Sequence, residues 1–92
     1  MVHPSMVLKI KDLDQRYTGG DKFRYCIDFN YRDHHLFIER RNWCWETWGP
    51  SCEYKFIGKL HEPPYSWIVD SYRIRLYFRG TAEINWYKLR WE

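Results

Sequence analysis

Hydrophobic and polar residues alternate with a period of two in two segments of the chain. One segment is Lys22–Asn30, in which the hydrophobic positions are Phe23, Tyr25, Ile27 and Phe29. The other is Ser66–Arg79, in which Tyr72, Ile74, Leu76 and Phe78 alternate with Arg73, Arg75, Tyr77 and Arg79. Successive side chains of a strand point to opposite faces of a sheet, so this period predicts a half-buried strand in each segment. Cys52–Leu60 is predicted as a further strand, and a weaker alternation over Met6–Leu13 predicts a short edge strand.

The segment between Asp33 and Gly49 carries the signals of a helix. Asp33 is a favourable N-cap residue, Gly49 stands where a C-cap belongs, and Pro50 follows at once. Between them, a set of residues recurs at spacings of roughly three and four: Leu36/Phe37, Arg40, Cys44 and Thr47/Trp48. The bulky residues Phe37–Ile38 and Trp43–Trp45 would also suit a strand. We favour a helix that unravels near Trp45, and the sequence leaves open whether residues 33–48 are fully helical.

The C-terminal segment predicts a second helix. Thr81 is placed as its cap, and one stripe of the helix holds Ile84, Tyr87, Lys88 and Trp91, with Ala82, Trp86 and Leu89 beside it. A strand over 81–91 that pairs back across Gly80 is the competing interpretation. The order of strand, helix, strand, strand and helix indicates an α+β fold, in which two helices cover one face of a small antiparallel sheet of three to four strands. Residues 1–92 are expected to form a single domain, with residues 1–21 as an edge strand plus a partly disordered loop.

Composition explains how so short a chain can fill a core. The 92 residues include six Trp, eight Tyr and five Phe, whereas Ala82 is the single alanine. Aromatic side chains bury about 150–250 Å² each, so they decide whether the chain folds, and disordered or coiled-coil classes are excluded. No segment approaches a membrane span or a secretory signal, and three cysteines, an odd number, fit a reducing cytosol. The net charge of +3 is only mildly basic.

Candidate chemistry is sparse along the chain. His34, His35, Cys44 and Cys52 do not have the paired spacing of a structural zinc site, so no metal and no cofactor is expected. Cys44 lies between two tryptophans, an apolar setting expected to raise its thiol pKa and keep it inert. Neither a nucleophile elbow nor a glycine-rich phosphate loop occurs. We therefore expect no catalytic residues and a protein that is not an enzyme.

A basic and aromatic strip is one of two features that point to a macromolecular partner. If Ile74, Leu76 and Phe78 face the core, the opposite side of the strand presents Arg73, Arg75, Tyr77 and Arg79. Arginines and an aromatic ring on one sheet face are typical of single-stranded nucleic-acid binding, because rings stack on bases while guanidinium groups contact phosphates. An ordinary solvated face, whose arginines pair with neighbouring carboxylates, is the alternative.

A tryptophan cluster is the second feature. Trp43, Trp45 and Trp48 cannot all face one side of a helix, because each residue turns the helix by about 100°. At least one ring is then left partly exposed, and Trp and Arg are enriched at protein-binding hot spots. The predicted partner-binding residues are Arg40, Arg41, Trp43, Trp45 and Trp48. A homodimer is a further expectation, since a small domain gains from burying aromatic surface between two copies. The alternative to an exposed, partner-binding tryptophan is that the tryptophans simply fill the core.

Two blocks of the sequence resemble small uncharacterised proteins of large contractile-tailed bacteriophages. One block runs from Trp43 through Cys44-Trp45-Glu46-Thr47-Trp48-Gly49-Pro50-Ser51 to Glu53. The other comprises Arg73–Phe78 followed by Trp86–Trp91, and together the blocks cover about a third of the chain. The resemblance carries no catalytic or binding residues. It implies a phage gene product that works in the host cytoplasm or is built into a virion, with a host protein or a phage assembly as its partner.

Overall fold

A computed structural model of the chain describes residues 9–12, 23–59 and 65–91. In chain order the regular elements are β1 (Lys9–Asp12), β2 (Tyr25–Asp28), α1 (His34–Trp48), β3 (Trp67–Asp70), β4 (Arg75–Phe78) and α2 (Thr81–Trp91). Short 3-10 helices at Tyr31–Asp33 and Tyr54–Lys59 precede α1 and β3. The predicted edge strand is confirmed as β1, whereas the predicted disorder of the remaining N-terminal residues lies outside the described part of the chain.

The four strands form one antiparallel sheet in the order β1-β2-β4-β3. At its centre, Ile27 of β2 is the partner of Leu76 in β4, and Leu76 in turn is the partner of Val69 in β3. Directly opposed residues share a face of the sheet. This register stacks hydrophobic positions from three strands on one face, and it confirms the predicted α+β fold with a small antiparallel sheet.

Both helices pack on the same face of the sheet, as the sequence predicted. The hydrophobic cluster on this face, which we call the helix-face core, joins the strands to one side of each helix. Its buried members are Ile27, Phe29, Phe37, Cys44, Trp67, Val69, Ile74, Leu76, Phe78, Ile84 and Tyr87. Aromatic rings supply much of this core, which is consistent with a chain that has a single alanine.

The opposite face of the sheet is also covered, which differs from the predicted half-buried strands. Cys26, Ile68 and Tyr77 are buried there together with Phe23, and Cys52, Tyr54 and Tyr65 pack against them. The Tyr54 ring stacks on the Tyr77 ring with centroids 4.7 Å apart. Phe23 therefore does not share a face with Tyr25, Ile27 and Phe29 as the alternation predicted, because it precedes β2 and the chain leaves the regular strand conformation there.

The prediction of a strand over Cys52–Leu60 is wrong. The chain touches β3 at an isolated parallel bridge between Glu53 and Val69, and the 3-10 helix begins directly afterwards. The Glu53 carboxylate accepts hydrogen bonds from the backbone N–H (3.0 Å) and the hydroxyl (2.6 Å) of Ser71. These bonds hold the segment at the end of β3, where Tyr54 closes over the second face of the sheet.

The strand predicted over Tyr72–Arg79, within the segment Ser66–Arg79, forms only from Arg75 as β4, and the segment as a whole is a β-hairpin. A turn over residues 71–74 separates β3 from β4, and Asp70 accepts a hydrogen bond from the Arg73 N–H at 3.0 Å. Ile74 adopts a positive φ of 59°, a conformation that β-branched residues rarely take. Its side chain is nevertheless buried in the helix-face core, so burial there compensates for the backbone strain.

The helix termini show which capping predictions hold. Helix α1 continues without unravelling to Trp48 and ends at Gly49, whose φ of 88° lies in the left-handed region and whose N–H donates to the Trp45 carbonyl. Thr81 is the first residue of α2 rather than its cap. The capping side chain is Glu83 instead: its carboxylate accepts a hydrogen bond from the Gly80 N–H at 3.1 Å, at the start of the helix.

Candidate protein-binding surface

Arg40, predicted as a partner contact, is part of the protein interior. Its side chain is only 3% exposed, and its Nη1 donates a hydrogen bond to the Tyr87 hydroxyl at 3.1 Å. The guanidinium carbon lies 4.7 Å from the centroid of the Trp91 ring and 5.9 Å from that of Tyr87. Arg40 thus joins α1 to α2 through cation–π contacts and has no surface to offer a partner.

Trp43 and Trp48 are half-buried between the two helices and the sheet. The Trp43 ring makes edge-to-face contacts with Trp48 at 5.1 Å and with Trp91 at 6.0 Å. Trp48 in turn contacts Phe78 at 5.8 Å. These two rings extend the helix-face core, so most of their surface is committed to the fold.

Trp45 is the tryptophan of α1 that faces solvent. Half of its side chain (50%) is exposed, and the ring rests edge-on against the buried Trp67 ring, with centroids 6.5 Å apart. Arg41 and Asn42 lie one helical turn before it, and the three side chains line an open depression of about 310 Å³. We call these three residues the Trp45 surface.

Arg41 brings a charged guanidinium group to this surface. Its Nη2 donates to the Asn42 side-chain oxygen at 3.1 Å, while its Nε is buried without an acceptor. Among residues 9–12, 23–59 and 65–91, no carboxylate forms an ion pair with it. A guanidinium group beside an exposed indole can therefore bind a carboxylate of another molecule.

The predicted nucleic-acid strip is not formed as an outward face. Tyr77 is buried beneath Tyr54 and cannot present its ring to a base. Arg75 forms an ion pair with Asp28 and donates a hydrogen bond to the Tyr77 hydroxyl at 3.5 Å. The covering segment that buries Tyr77 is distant in sequence, so the alternation within the strand could not reveal it.

The other two arginines of the strip also have intramolecular partners. Arg73 lies in the hairpin turn rather than in β4, and its Nη1 is 3.5 Å from the Asp70 carboxylate. Arg79 donates from Nε to the Tyr65 carbonyl at 2.9 Å, and its guanidinium lies over the Phe23 ring. The alternative interpretation, a solvated face whose arginines pair with carboxylates, therefore holds only in part: Arg75 pairs with Asp28, but the face is covered and Arg79 contacts a carbonyl and a ring.

Burial of Tyr77 predicts a loss of stability at alkaline pH. Burial raises the pKa of Tyr77 to about 12, although the hydrogen bond from Arg75 acts in the opposite direction. An unfolded tyrosine has a pKa of about 10, so the folded state holds this proton more tightly. The contribution is complete below pH 10, and we expect the free energy of unfolding to fall as pH rises from about 10 to 12.

Urea unfolding at pH 9, 10, 11 and 12 measures this dependence. Tyr77→Phe removes the titrating hydroxyl and should show a smaller decrease over this interval than the wild-type protein. Tyr72→Phe changes an exposed tyrosine and serves as the matched control, because it lowers the number of tyrosines equally. Equal decreases in the two variants would contradict the assignment to Tyr77.

The thiols and the two histidines within the described residues are dispersed. Cys26 and Cys44 are buried, and burial raises the pKa of the Cys44 thiol as the sequence predicted. Burial and, secondarily, the charge of Glu53 raise the pKa of Cys52. His34 and His35 are exposed at the start of α1. Within the described residues, no three His, Cys, Asp or Glu side chains come together as a potential metal site.

Sequence reasoning did not single out an exposed apolar stripe on α2. Trp86 and Leu89 are 58% and 81% exposed, and Ala82 lies one turn before Trp86 on the same side of the helix. We call these three residues the α2 ridge. The sequence did contain a signal: α2 has apolar residues both on its buried stripe and on the opposite side, whereas a helix that buries only one face usually has polar residues on the other.

A groove runs beside the α2 ridge, between the two helices. Trp43 of α1 and Trp91 of α2 line it, with Arg90 stacked over the Trp91 ring at 4.0 Å. Glu39, Asn42 and Glu46 complete the described lining from α1, and the groove has a volume of about 300 Å³. We call it the interhelical groove.

Similarity to known proteins adds no constraint on this surface. Comparisons of the chain with protein-family models, with curated proteins and with solved structures give no match. In the part of the chain that the structure describes, neither helix is long and apolar enough to cross a membrane. The binding properties of this surface are therefore inferred from its side-chain geometry.

Proposed function

We propose that this protein is a small non-catalytic binding module that acts by protein–protein contact through the Trp45 surface. The observation that carries the proposal is a half-exposed indole that shares an open depression with an arginine to which no described carboxylate forms an ion pair. Of the five predicted partner-binding residues, Trp45 and Arg41 keep this role. Asn42 is added, while Arg40, Trp43 and Trp48 support the surface from within the fold.

The geometry of Trp45 favours binding over simple core filling. Its inner edge rests on Trp67, so the ring is held in position before a partner arrives. The exposed half of an indole amounts to roughly 100 Å², and its burial would contribute about 2.5 kcal/mol at ~25 cal/mol per Å². Arg41 adds a charged donor at the edge of the same contact. This charge would favour partners that place a carboxylate there, so it contributes specificity as well as affinity.

The resemblance to phage proteins extends the proposal to a cellular setting. We propose that the chain is phage-encoded and acts in the host cytoplasm by binding a host protein, or serves as a component of the virion. Its net charge of +3 would favour encounter with an acidic partner in either setting. The support for this step is the two sequence blocks quoted above, one of which contains Trp45.

Trp45→Ser is expected to weaken partner binding on the order of 30-fold or more, because truncation of a hot-spot residue costs about 2 kcal/mol or more. The measurement is affinity capture from a bacterial host lysate with immobilised wild-type and variant protein, followed by titration of the captured protein. Arg41→Gln, which keeps a polar side chain but removes the charge, should give a smaller loss in the same direction.

Tyr72→Ser provides the matched control, since it also removes an exposed aromatic ring but lies in the hairpin turn. Circular dichroism first establishes that each variant is folded. Iodide quenching of the tryptophan emission should decrease in Trp45→Ser, since an accessible indole has been removed. Retention of the same captured protein by Trp45→Ser with wild-type affinity would remove the Trp45 surface from consideration.

A further inference from the structure

The charged side chains at the surface of α1 are separated by sign around the helix. Its two carboxylates, those of Glu39 and Glu46, line the interhelical groove. A helix turns by about 100° per residue, which places both carboxylates at least about 100° around the helix from Arg41 and Trp45. Asn42 lies between these two sides and lines both the groove and the Trp45 surface. The Trp45 surface therefore carries the positive charge of Arg41, and the acidic side of α1 faces away from it.

The donors that the Trp45 surface offers are side-chain groups. Arg41, Asn42 and Trp45 lie inside α1, so their backbone N–H groups donate within the helix. The side-chain oxygen of Asn42 accepts from Arg41 Nη2 at 3.1 Å, which leaves the Asn42 Nδ2 as a second donor beside the guanidinium group. A free chain terminus is usually bound by backbone N–H groups, whereas an Asp or Glu side chain pairs with a guanidinium group. This arrangement favours a side-chain carboxylate from within a partner segment.

The dimensions of the Trp45 surface suit two neighbouring side chains. Arg41 and Trp45 are one helical turn apart, which corresponds to about 5–6 Å between their Cβ atoms. Alternate side chains of an extended chain are about 6.6 Å apart, and residues three or four apart on a helix are again about 5–6 Å apart. A carboxylate and an apolar side chain within four residues of each other can therefore reach both groups in the depression of about 310 Å³.

We propose that the Trp45 surface binds a short acidic segment of a partner protein, in which an Asp or Glu lies within four residues of an aromatic or branched aliphatic side chain. The apolar side chain would pack on the exposed half of the Trp45 ring, and the carboxylate would accept hydrogen bonds from Arg41 and Asn42. This inference rests on the proposed function, to which it adds the chemical class of the partner.

The charge pattern of α1 favours a peptide over a nucleic acid. Arg41 is the charged residue in the described lining of the Trp45 surface, whereas a nucleic-acid strand carries a phosphate at every nucleotide. Glu39 and Glu46 lie on the adjacent side of the same helix and would repel a continuous phosphate backbone. A peptide can place one carboxylate next to Arg41 and keep its other positions uncharged or basic.

Selection of displayed random peptides on the immobilised wild-type protein tests the class of partner. We expect the enriched sequences to combine an acidic and an apolar residue within four positions. The most enriched peptide is then synthesised with its acidic residue and with the corresponding amide, and both dissociation constants are measured by fluorescence anisotropy. The amide peptide should bind the wild-type protein about fivefold or more weakly than the acidic peptide, whereas Arg41→Gln should bind the two with about the same affinity.

Asn42→Asp tests the same charge pair from within the chain. It places a carboxylate next to Arg41 with little change in volume, so it should bind the acidic peptide about fivefold or more weakly. Asn85→Asp, the identical change at an exposed position of α2, is the matched control and should leave the affinity unchanged. A selection that enriches no sequence, an enriched sequence without an acidic residue, or equal affinity of the wild-type protein for the acidic and amide peptides would overturn this inference and leave the proposed function in place.

Trp45→Ser and Trp86→Ser separate this inference from the proposed function. Each removes an exposed indole, but Trp86 belongs to the α2 ridge. We expect peptide binding to be lost in Trp45→Ser and retained in Trp86→Ser, with circular dichroism confirming the fold of each variant. Peptide binding that survives in Trp45→Ser would count against the Trp45 surface itself, and therefore against both proposals. Single-stranded polyuridine that displaces the peptide from the wild-type protein would assign this surface to nucleic acid and contradict the peptide.

Discussion

Trp67→Ala is expected to lower the free energy of unfolding by about 3–5 kcal/mol, a large part of the stability of a domain of this size. Trp67 is 1% exposed and lies in the helix-face core. Its Nε1 donates a hydrogen bond to the Gly49 carbonyl at 3.0 Å, and its ring supports Trp45. Truncation would remove the ring contacts, leave a cavity beneath α1 and leave a carbonyl at the helix end without its donor. Urea unfolding monitored by circular dichroism measures the change.

Two further substitutions separate the parts of this effect. Trp67→Phe keeps an aromatic ring but cannot donate to Gly49, so we expect a smaller loss of about 1–2 kcal/mol. Tyr72→Ala truncates an aromatic side chain that is 86% exposed, and it should change stability by no more than about 0.5 kcal/mol. If Trp67→Ala destabilised the protein no more than Tyr72→Ala does, the packing described for the helix-face core would be wrong.

Local sequence patterns were sufficient for the elements that carry the fold. The period of two located β2 and β4, because side-chain direction along a strand is a property of neighbouring residues. Gly49 marked the end of α1 for a similarly local reason, since the helix needs a residue in the left-handed region there. These elements in this order were enough to predict an α+β fold with both helices on one face.

Contacts between distant segments were not predictable in the same way. Alternation in β4 indicates that Leu76 and Tyr77 face opposite sides, but it does not show that Tyr54 closes over the second side. Tyr77 was therefore assigned to solvent and to nucleic-acid binding, whereas it is buried. The strand prediction for Cys52–Leu60 failed for the same reason, because the hydrogen bonds from Ser71 to Glu53 determine where that segment lies.

The candidate binding surface shows how much one helical step matters. Arg40 and Arg41 are adjacent in sequence and were assigned the same role, but the helix turns Arg40 into the interior and leaves Arg41 at the edge of the Trp45 surface. A signal for this difference was present, since Arg40 shares the spacing of the buried Phe37 and Cys44. Arg40 was nevertheless predicted to be exposed on the basis of its charge, because an arginine is seldom fully buried.

Arg40→Ala is expected to lower the free energy of unfolding by about 2–4 kcal/mol. The substitution removes a buried side chain that fills the space between α1 and α2, and it deprives the Tyr87 hydroxyl of the hydrogen bond from Arg40. Arg40→Met should cost less, within about 1 kcal/mol of wild type. Methionine retains much of the volume of the arginine side chain. It also removes a buried charge that no described carboxylate neutralises. The desolvation cost of that charge is then no longer incurred, which offsets the lost hydrogen bond and cation–π contacts.

Arg40→Lys decides between packing and charge as the source of stability at this position. Lysine keeps the positive charge, but it lacks the planar group that lies over the Trp91 and Tyr87 rings and can no longer match the guanidinium hydrogen-bond geometry. We therefore expect Arg40→Lys to be less stable than Arg40→Met, with Arg40→Ala at or below the lysine variant, in urea unfolding at neutral pH. The reverse order for lysine and methionine would mean that the positive charge itself stabilises the interface between the helices. In that case the buried Nε of Arg40, which has no acceptor in the described structure, would need one in solution.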